Sequence, residues 1–372
     1  MSQHTLGEPA VVIKHLLDGM GKFGASDLHL KVGYIPTYRV GGHLRKLDMP
    51  KIPNSDYVRD MMIPLVPESR KGEYNERGDL DFSYGEATGD RYRINVFRSG
   101  NDMNAAIRRV QSKIPNFEDL NLPKVYEKIC KISYDGLVLI SGVTGSGKSS
   151  TLAAMLNHIN HERSAHVITI EDPVEYRFLP DKCIISQREV GIDIPSYAEA
   201  LRYVVRQDPD IILIGEMRDR DTMMAALQAA ETGHLVFGTL HCSDARQSFN
   251  RILEFFPRVE HAFIRSSLAN SLRGICVQRL LPGIEEGSRF PATEVLLNNS
   301  IVRDKIRKEE DKDLPAIINQ SIEEGMRSFT LSLAELIENE SVHYDTAMEF
   351  APNREALASK VKGIQTATEG LV

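Results

Sequence analysis

The stretch GLVLISGVTGSGKSS, Gly136 to Ser150, constrains the fold more than any other part of the chain. It opens as a short unbroken apolar run, the signature of a buried strand. It continues through Gly142, Val143, Thr144, Gly145, Ser146, Gly147, Lys148, Ser149 and Ser150, which satisfy G-x-x-x-x-G-K-[ST], and a helical pattern follows. Strand, glycine-rich turn and helix in that order distinguish a phosphate-binding loop from a chance glycine turn. In such a loop the glycines let successive backbone N–H groups turn inward around a β-phosphate. Lys148 then reaches the β and γ oxygens, and the Ser149 hydroxyl ligates Mg2+.

Beyond Gly136 the apolar runs HVITI, DIILIG and HLVFGTL alternate with helical patterns such as SYAEALRYVVRQ, whose Ser196 and Glu199 form a capping box. Strands alternating with helices predict an α/β domain on a parallel, doubly wound sheet, here over residues 136–372. Its C-terminal stretch reads as helical, with Ile317, Ile318 and Ile322, then Leu331, Leu333, Leu336 and Ile337, as candidate buried faces.

The N-terminal third carries a different pattern. Ile13, Leu16, Leu17 and Met20 fall at helical spacing before the glycines of residues 19–24. Leu28, Leu30 and Val32, then Tyr38 and Val40, then Leu80, Phe82 and Tyr84, then Tyr92, Ile94 and Val96 alternate as strands do. Arg91, Arg93 and Asn95 thereby share the opposite face. Short strands with one helix predict a smaller α+β domain over residues 1–110. Residues 111–135, irregular and charged with Pro115 and Pro123, read as the linker. A length of 372 residues agrees with two domains.

Three further motifs carry chemistry. Ile211 to Ile214 precede Gly215 and Glu216, which puts a carboxylate at the C-terminal edge of the sheet, where nucleotides bind. Glu216 is the candidate base that orients the water attacking a γ-phosphorus; the alternative is a carboxylate capping the next helix. Gly215 stands where many P-loop enzymes place the Asp that holds Mg2+, so another acid must compensate. ITIEDPVEY offers Glu171 and Asp172 at a strand end, with Pro173 stopping the ladder; such a pair coordinates metal or water, or else begins a turn. Asp172 is assigned to metal and Glu171 to catalysis.

TGHLVFGTLH brackets a strand with His234 and His241, and either imidazole could donate to a γ-phosphate. His241, at the C-terminal end, is the better placed. Arginines are the remaining requirement, because cationic donors stabilise a transferring phosphoryl group and can come from a neighbouring subunit. Arg93, Arg98 and Arg108 are the finger candidates in the first domain, and Arg202, Arg206 and Arg218 stand in the second.

Composition disfavours other classes. A formal net charge of −7 supplies no basic excess for a nucleic-acid backbone. Cys130, Cys183, Cys242 and Cys276 are scattered and form no C-x-x-C pair, which points to a reducing cytosol rather than to zinc or disulfides. The first residues lack a signal-peptide pattern, and no apolar run approaches the ~18 residues of a membrane span. Membrane association is therefore expected through a partner.

The P-loop, ITIEDPVEY, DPDIILIGEMRD and TGHLVFGTLH stand in the order of the secretion ATPase superfamily, and their wording is similar to its type IV pilus retraction branch. The likeness runs from ASDLHL through RYRINVF, SQREV and AALQAAETG into GMRSFTLSLAELI, nearly the whole chain. It implies a PAS-like first domain, a RecA-like second domain, and a homohexameric ring with ATP between subunits. The ring would act at an inner-membrane platform protein to disassemble a pilus. Residue by residue, the resemblance maps Lys148 and Ser149 to the P-loop, Glu171 and Asp172 to the Asp box, Glu216 to the Walker B acid, and His234 and His241 to the His box. The missing C-x-x-C pairs and short N-terminus speak against the assembly and type II secretion branches. IVRDKIRK, Ile301 to Lys308, corresponds to the family's AIRNLIRE-like helix and keeps Arg303, Ile306 and Arg307, with Lys305 where an apolar residue is usual. It is expected to be an exposed coupling helix anchored by Ile301, Val302 and Ile306. The rival expectations are an accessory nucleotide-binding subunit, or a motor of a related secretion or DNA-uptake system.

Overall fold

The computed structural model describes residues 6–85, 90–110, 113–285 and 287–363. The chain divides into two compact units, Met1–Lys113 and Ile114–Val372.

In the first unit β1 (Ala25–Leu30), β2 (Thr37–Val40), β3 (His43–Lys46), β4 (Asp79–Gly85), β5 (Arg91–Ser99) and β6 (Asp102–Val110) form an antiparallel sheet of order β3-β2-β1-β6-β5-β4. The helices are α1 (Pro9–Lys22), α2 (Ser55–Met62) and α3 (Glu73–Arg77). Apolar alternation drives the packing. Leu28, Leu30, Leu80, Phe82, Tyr92, Ile94 and Val96 join Ile13, Leu17 and Met20 of α1 in one core. Tyr38 donates its hydroxyl to Leu16 O at 2.5 Å, tying β2 to α1. The opposite face is polar, and buried Asp27 accepts from Arg108 Nε at 2.8 Å. This is the α+β organisation expected.

The second unit is built on β7 (Gly136–Ser141), β8 (His166–Glu171), β9 (Ile184–Glu189), β10 (Ile211–Ile214), β11 (Leu235–Leu240), β12 (Leu272–Pro282) and β13 (Arg289–Leu297). Their order is β13-β12-β7-β11-β10-β8-β9, parallel throughout except that β13 runs against β12. Every residue of β7, β10 and β11 is buried, because helices cover both faces. Along β7, Leu137 and Leu139 enter one core, and Val138 and Ile140 the other. The helices are α4 (Val125–Ile132), α5 (Lys148–Glu162), α6 (Tyr197–Val204), α7 (Arg220–Glu231), α8 (Ala245–Glu254), α9 (His261–Ser271), α10 (Ser300–Arg307), α11 (Leu314–Gln320), α12 (Phe329–Glu338), α13 (Tyr344–Phe350) and α14 (Arg354–Val361). This is the α/β, RecA-like arrangement expected.

Three details differ from the sequence reading. Residues 114–135 pack with the second unit, because Val125, Tyr126, Ile129 and Cys130 give α4 a buried face amid the charges; Gln111 and Ser112 of the expected linker lie outside the described residues. Ile322 is 46% exposed on a short turn, and Ile301 of α10 is 52% exposed. Val302 and Ile306 alone anchor α10, and the bidentate Arg265–Asp311 pair, at 2.8 and 2.7 Å, braces its C-terminal end through Ile306 O.

Candidate active site

Parallel register sets the site. Ile170, Ile214 and Gly238 are paired neighbours across β8, β10 and β11, and Leu240 pairs with Ser141 of β7, so the segments that follow all emerge at one edge. A cavity of about 550 Å3, within the ~300–1,000 Å3 usual for ligand pockets, opens there and is lined by the P-loop together with Glu171, Asp172, Tyr197, Glu216, Arg218 and His241.

The P-loop turns on Gly142 and Gly147. Gly147 has φ +89°, and a Cβ there would stand 3.0 Å from Gln278 Nε2; one on Gly142 would be 2.5 Å from Gln278 O. Gln278 of β12 straps the loop in place. Its Nε2 donates to Ser146 O at 2.6 Å, and its Oε1 accepts from Thr151 Oγ1 at 3.0 Å. Its neighbour Arg279 leaves β12 on the other face, donating to Ser243 O at 3.0 Å and to Phe350 O in α13 at 2.6 Å. Lys148 Nζ lies back on its own loop, 2.8 Å from Gly142 O and 3.2 Å from Val143 O. Burial lowers its pKa, against the pull of Glu216 and Glu175. Among the described residues the Ser146 hydroxyl is buried without a hydrogen-bond partner. An ammonium held on carbonyls at the start of a helix, beside an unsatisfied hydroxyl, makes a cradle for an anion.

Glu216 follows β10 with 20% of its side chain exposed. His241 Nε2 is 3.2 Å from its Oε1, and Arg218 Nη2 donates to Oε2 at 2.6 Å. Burial pushes the Glu216 pKa up, but Arg218 and His241 outweigh it and the net shift is downward. Gly215 has no room for a side chain: a Cβ would meet Tyr197 Oη at 2.9 Å, Ile170 O at 3.1 Å and Glu171 Cα at 3.2 Å. Thr239 Oγ1 donates to Gly215 O at 2.5 Å, and Met217 N to Thr239 O at 3.1 Å, clamping this turn to β11. Glu171, at the end of β8, accepts from Thr169 Oγ1 at 2.6 Å and Gln187 Nε2 at 3.3 Å. Burial nevertheless raises its pKa to about 7. Beyond it, Tyr176 Oη and Ser150 Oγ stand 2.7 Å apart, joining this segment to α5.

The structure therefore gathers Glu171, Asp172, Glu216, Arg218 and His241 around the P-loop within one chain. It does not bring His234 there. His234 sits before β11, at the far end of the strand from His241, with Nδ1 on Ala229 O at 3.0 Å. Arg202 and Arg206 are exposed on α6 and the turn after it. Arg93, Arg98 and Arg108 belong to the first unit: Arg93 lies 4.0 Å from Asp81, Arg98 is over the Tyr74 ring, and Arg108 is on Asp27. Sequence reasoning missed Gln278 and Tyr197, which sit in no phosphate motif. Among the described residues no helix is long and apolar enough to cross a membrane, and no cluster of three His, Cys, Asp or Glu side chains could hold a metal alone.

A family model described as type II/IV secretion system protein matches residues 101–330. The chain is 38% identical over 339 residues to the type IV pilus retraction ATPase PilT of Pseudomonas aeruginosa, covering 91% of this chain and 98% of that one. It is 36% identical over 348 residues to the type IV pilus ATPase PilU of the same organism, covering 93% and 90%. A crystal structure of the pilus retraction motor PilT with bound ADP matches with a TM-score of 0.86 at 38% identity, over 92% of this chain and 98% of that one.

Proposed function

The chain belongs to the type II/IV secretion system protein family, and from that premise we propose that it is an ATP-hydrolysing motor that powers type IV pilus retraction. One observation carries the chemistry: the Glu216 carboxylate is held by His241 and Arg218 on the sheet edge that also presents the P-loop. The likeness to PilT over 98% of that protein's length supports the retraction assignment.

In this reading Lys148 leaves the carbonyls of Gly142 and Val143 for the β and γ oxygens of ATP, and the loop amides take the remaining phosphate contacts. A lowered pKa makes Glu216 a poor proton acceptor but a constant anion at neutral pH. Its work is to orient and polarise the attacking water, which suits a reaction governed by positioning and charge. His241 fixes that carboxylate and senses the γ-phosphate. The donor set fits Mg2+, an ion that keeps several waters and takes only one or two protein carboxylates. Ser149 and Asp172 would hold it, and when bound it neutralises charge on the phosphate oxygens.

Arg218 and Arg289 are the arginines lining the cavity among the described residues, and Arg218 is occupied by Glu216. Further cationic charge then comes from a neighbouring subunit in a closed homo-oligomer, a hexamer by family resemblance, with Arg93, Arg98 and Arg108 as the candidate fingers. The PAS-like first unit would carry them. The motor works in the cytoplasm, peripheral to the inner membrane through a platform protein.

That one organism carries both PilT and PilU, to which this chain is 38% and 36% identical, favours one second reading, an accessory pilus ATPase that works beside a paralogue. Steady-state phosphate release by the purified chain alone, with light scattering in nucleotide, decides between them. The motor reading expects turnover by a closed ring without other subunits. A ring that binds ATP but turns over only when a paralogue is added supports the accessory reading, and an active monomer refutes the trans-arginine arrangement.

A further inference from the structure

Gly215 poses a problem that the ATP-site reading leaves open. The position where many P-loop enzymes carry a metal-binding Asp has neither a side chain nor space for one, and Tyr197 occupies part of that space, with its Oη 2.9 Å from where a Cβ would sit. Tyr197 opens α6, which is capped by Ser196 Oγ accepting from Glu199 N at 3.2 Å. The residue packs against the hydrophobic core and lines the cavity, and its hydroxyl reaches Gly215. The two glutamates beside it are both engaged. Glu216 is held by Arg218 and His241, and Glu171 by Thr169 and Gln187. The Tyr197 hydroxyl has no hydrogen-bond partner among the described residues, although Asp172, Glu171 and Glu216 lie near enough to act on it electrostatically. Burial first, and then those carboxylates, raise its pKa, so it keeps its proton throughout the working range.

We propose that the Tyr197 hydroxyl is a further site residue, which accepts a hydrogen bond from the hydration shell of the Mg2+ accompanying ATP and gives its own O–H to Asp172. Tyrosine and aspartate together thus serve where Gly215 supplies no carboxylate. The inference rests on reading this cavity as the ATP site. A neutral phenol cannot replace a negative charge, but it can fix the orientation of water and carboxylate around an ion that retains most of its hydration.

The test is Tyr197→Phe, which keeps the ring and removes only the oxygen. Binding of a fluorescent ATP analogue is titrated against Mg2+ in parent and variant, alongside metal-free binding of a fluorescent ADP analogue and thermal unfolding. The Mg2+ concentration at half-saturation should rise about 10-fold, the scale expected for groups that orient a metal's ligands. Metal-free affinity and melting temperature should stay as in the parent. Asp172→Asn should raise the Mg2+ requirement too, and the double variant should be little worse than the poorer single one, because the two act as a unit. A half-saturation within twofold of the parent overturns the proposal. So does a loss of metal-free affinity and stability in equal measure, which marks a packing role. If the parent binds no nucleotide, the ATP-site reading itself fails, and this inference with it.

Discussion

His241 Nε2 lies 3.2 Å from Glu216 Oε1, although the two residues follow different strands, β11 and β10, and stand 25 positions apart in the chain. Parallel pairing of those strands brings the contact about. With Arg218 on the other oxygen, both ends of the carboxylate are held before any substrate arrives.

Glu216→Gln should bind ATP as the parent does and hydrolyse it at least ~10²-fold more slowly, because the amide keeps the shape but loses the charge that polarises water. Lys148→Ala should lose binding itself. Labelled-ATP titration beside phosphate release separates the two, and normal turnover by the glutamine variant would transfer the base assignment to Glu171.

Gln278→Met should keep the fold yet weaken nucleotide binding on the order of 10-fold. It leaves Ser146 O and the Thr151 hydroxyl without their partner, at a cost of about 1–3 kcal/mol for a buried orphaned group. Thr151→Val removes only one of those bonds and should fall between parent and Gln278→Met. Equal affinities in all three proteins would reduce Gln278 to a filler of space.

Glu171 makes stability depend on pH in a stated direction. Its folded pKa of about 7 lies above the ordinary 4.5, so across that interval the folded chain holds a proton that the unfolded chain has released. Stability then falls as pH rises from 4.5 towards 7 and is level above it. Glu171→Gln removes this dependence. The variant should match the parent near pH 4.5 and exceed it at pH 8 by on the order of 2 kcal/mol, a shift of several degrees in nucleotide-free melting scans. A constant difference between the two proteins at both pH values would place the proton elsewhere.

On α10, Arg307 donates to Asn270 Oδ1 at 2.6 Å, and Lys305 is spent on Glu310 and on Asp313 at 2.7 Å. The Arg303 side chain makes no hydrogen bond or ion pair among the described residues and is exposed. Arg303→Glu should therefore leave ATP turnover within twofold of the parent while abolishing pilus-driven motility in cells. Full motility would make this helix surface and nothing more.

The strands and the P-loop were legible because their signals are local: an apolar run, glycines, then a lysine and a serine at fixed spacing. What escaped was long-range or depended on direction. Gln278 reaches Ser146 across 132 positions from a strand with no marking of its own. TGHLVFGTLH looks symmetrical in its histidines, yet a strand has two ends, and β11 holds His234 and His241 apart by roughly 23 Å at ~3.3 Å per residue. The sequence revealed that Gly215 lacks an acid; only packing revealed that nothing larger fits there. Lys305 looked out of place for want of Glu310 and Asp313, acids supplied by the turn that follows the helix.

Gln278 and Arg279 are consecutive, so β12 sends an amide to the P-loop from one face and a guanidinium to Ser243 and α13 from the other. A slip of a single residue would exchange their faces, pointing a fixed positive charge at the loop and leaving the helices with an amide too short to span the gap. The antiparallel ladder with β13, which runs unbroken from Gly274 opposite Leu297 to Pro282 opposite Arg289, prevents that slip. β13 contributes little to the cavity, yet it works like the key that locks a dial to its shaft: as long as it is paired, the loop and the C-terminal helices keep the same index.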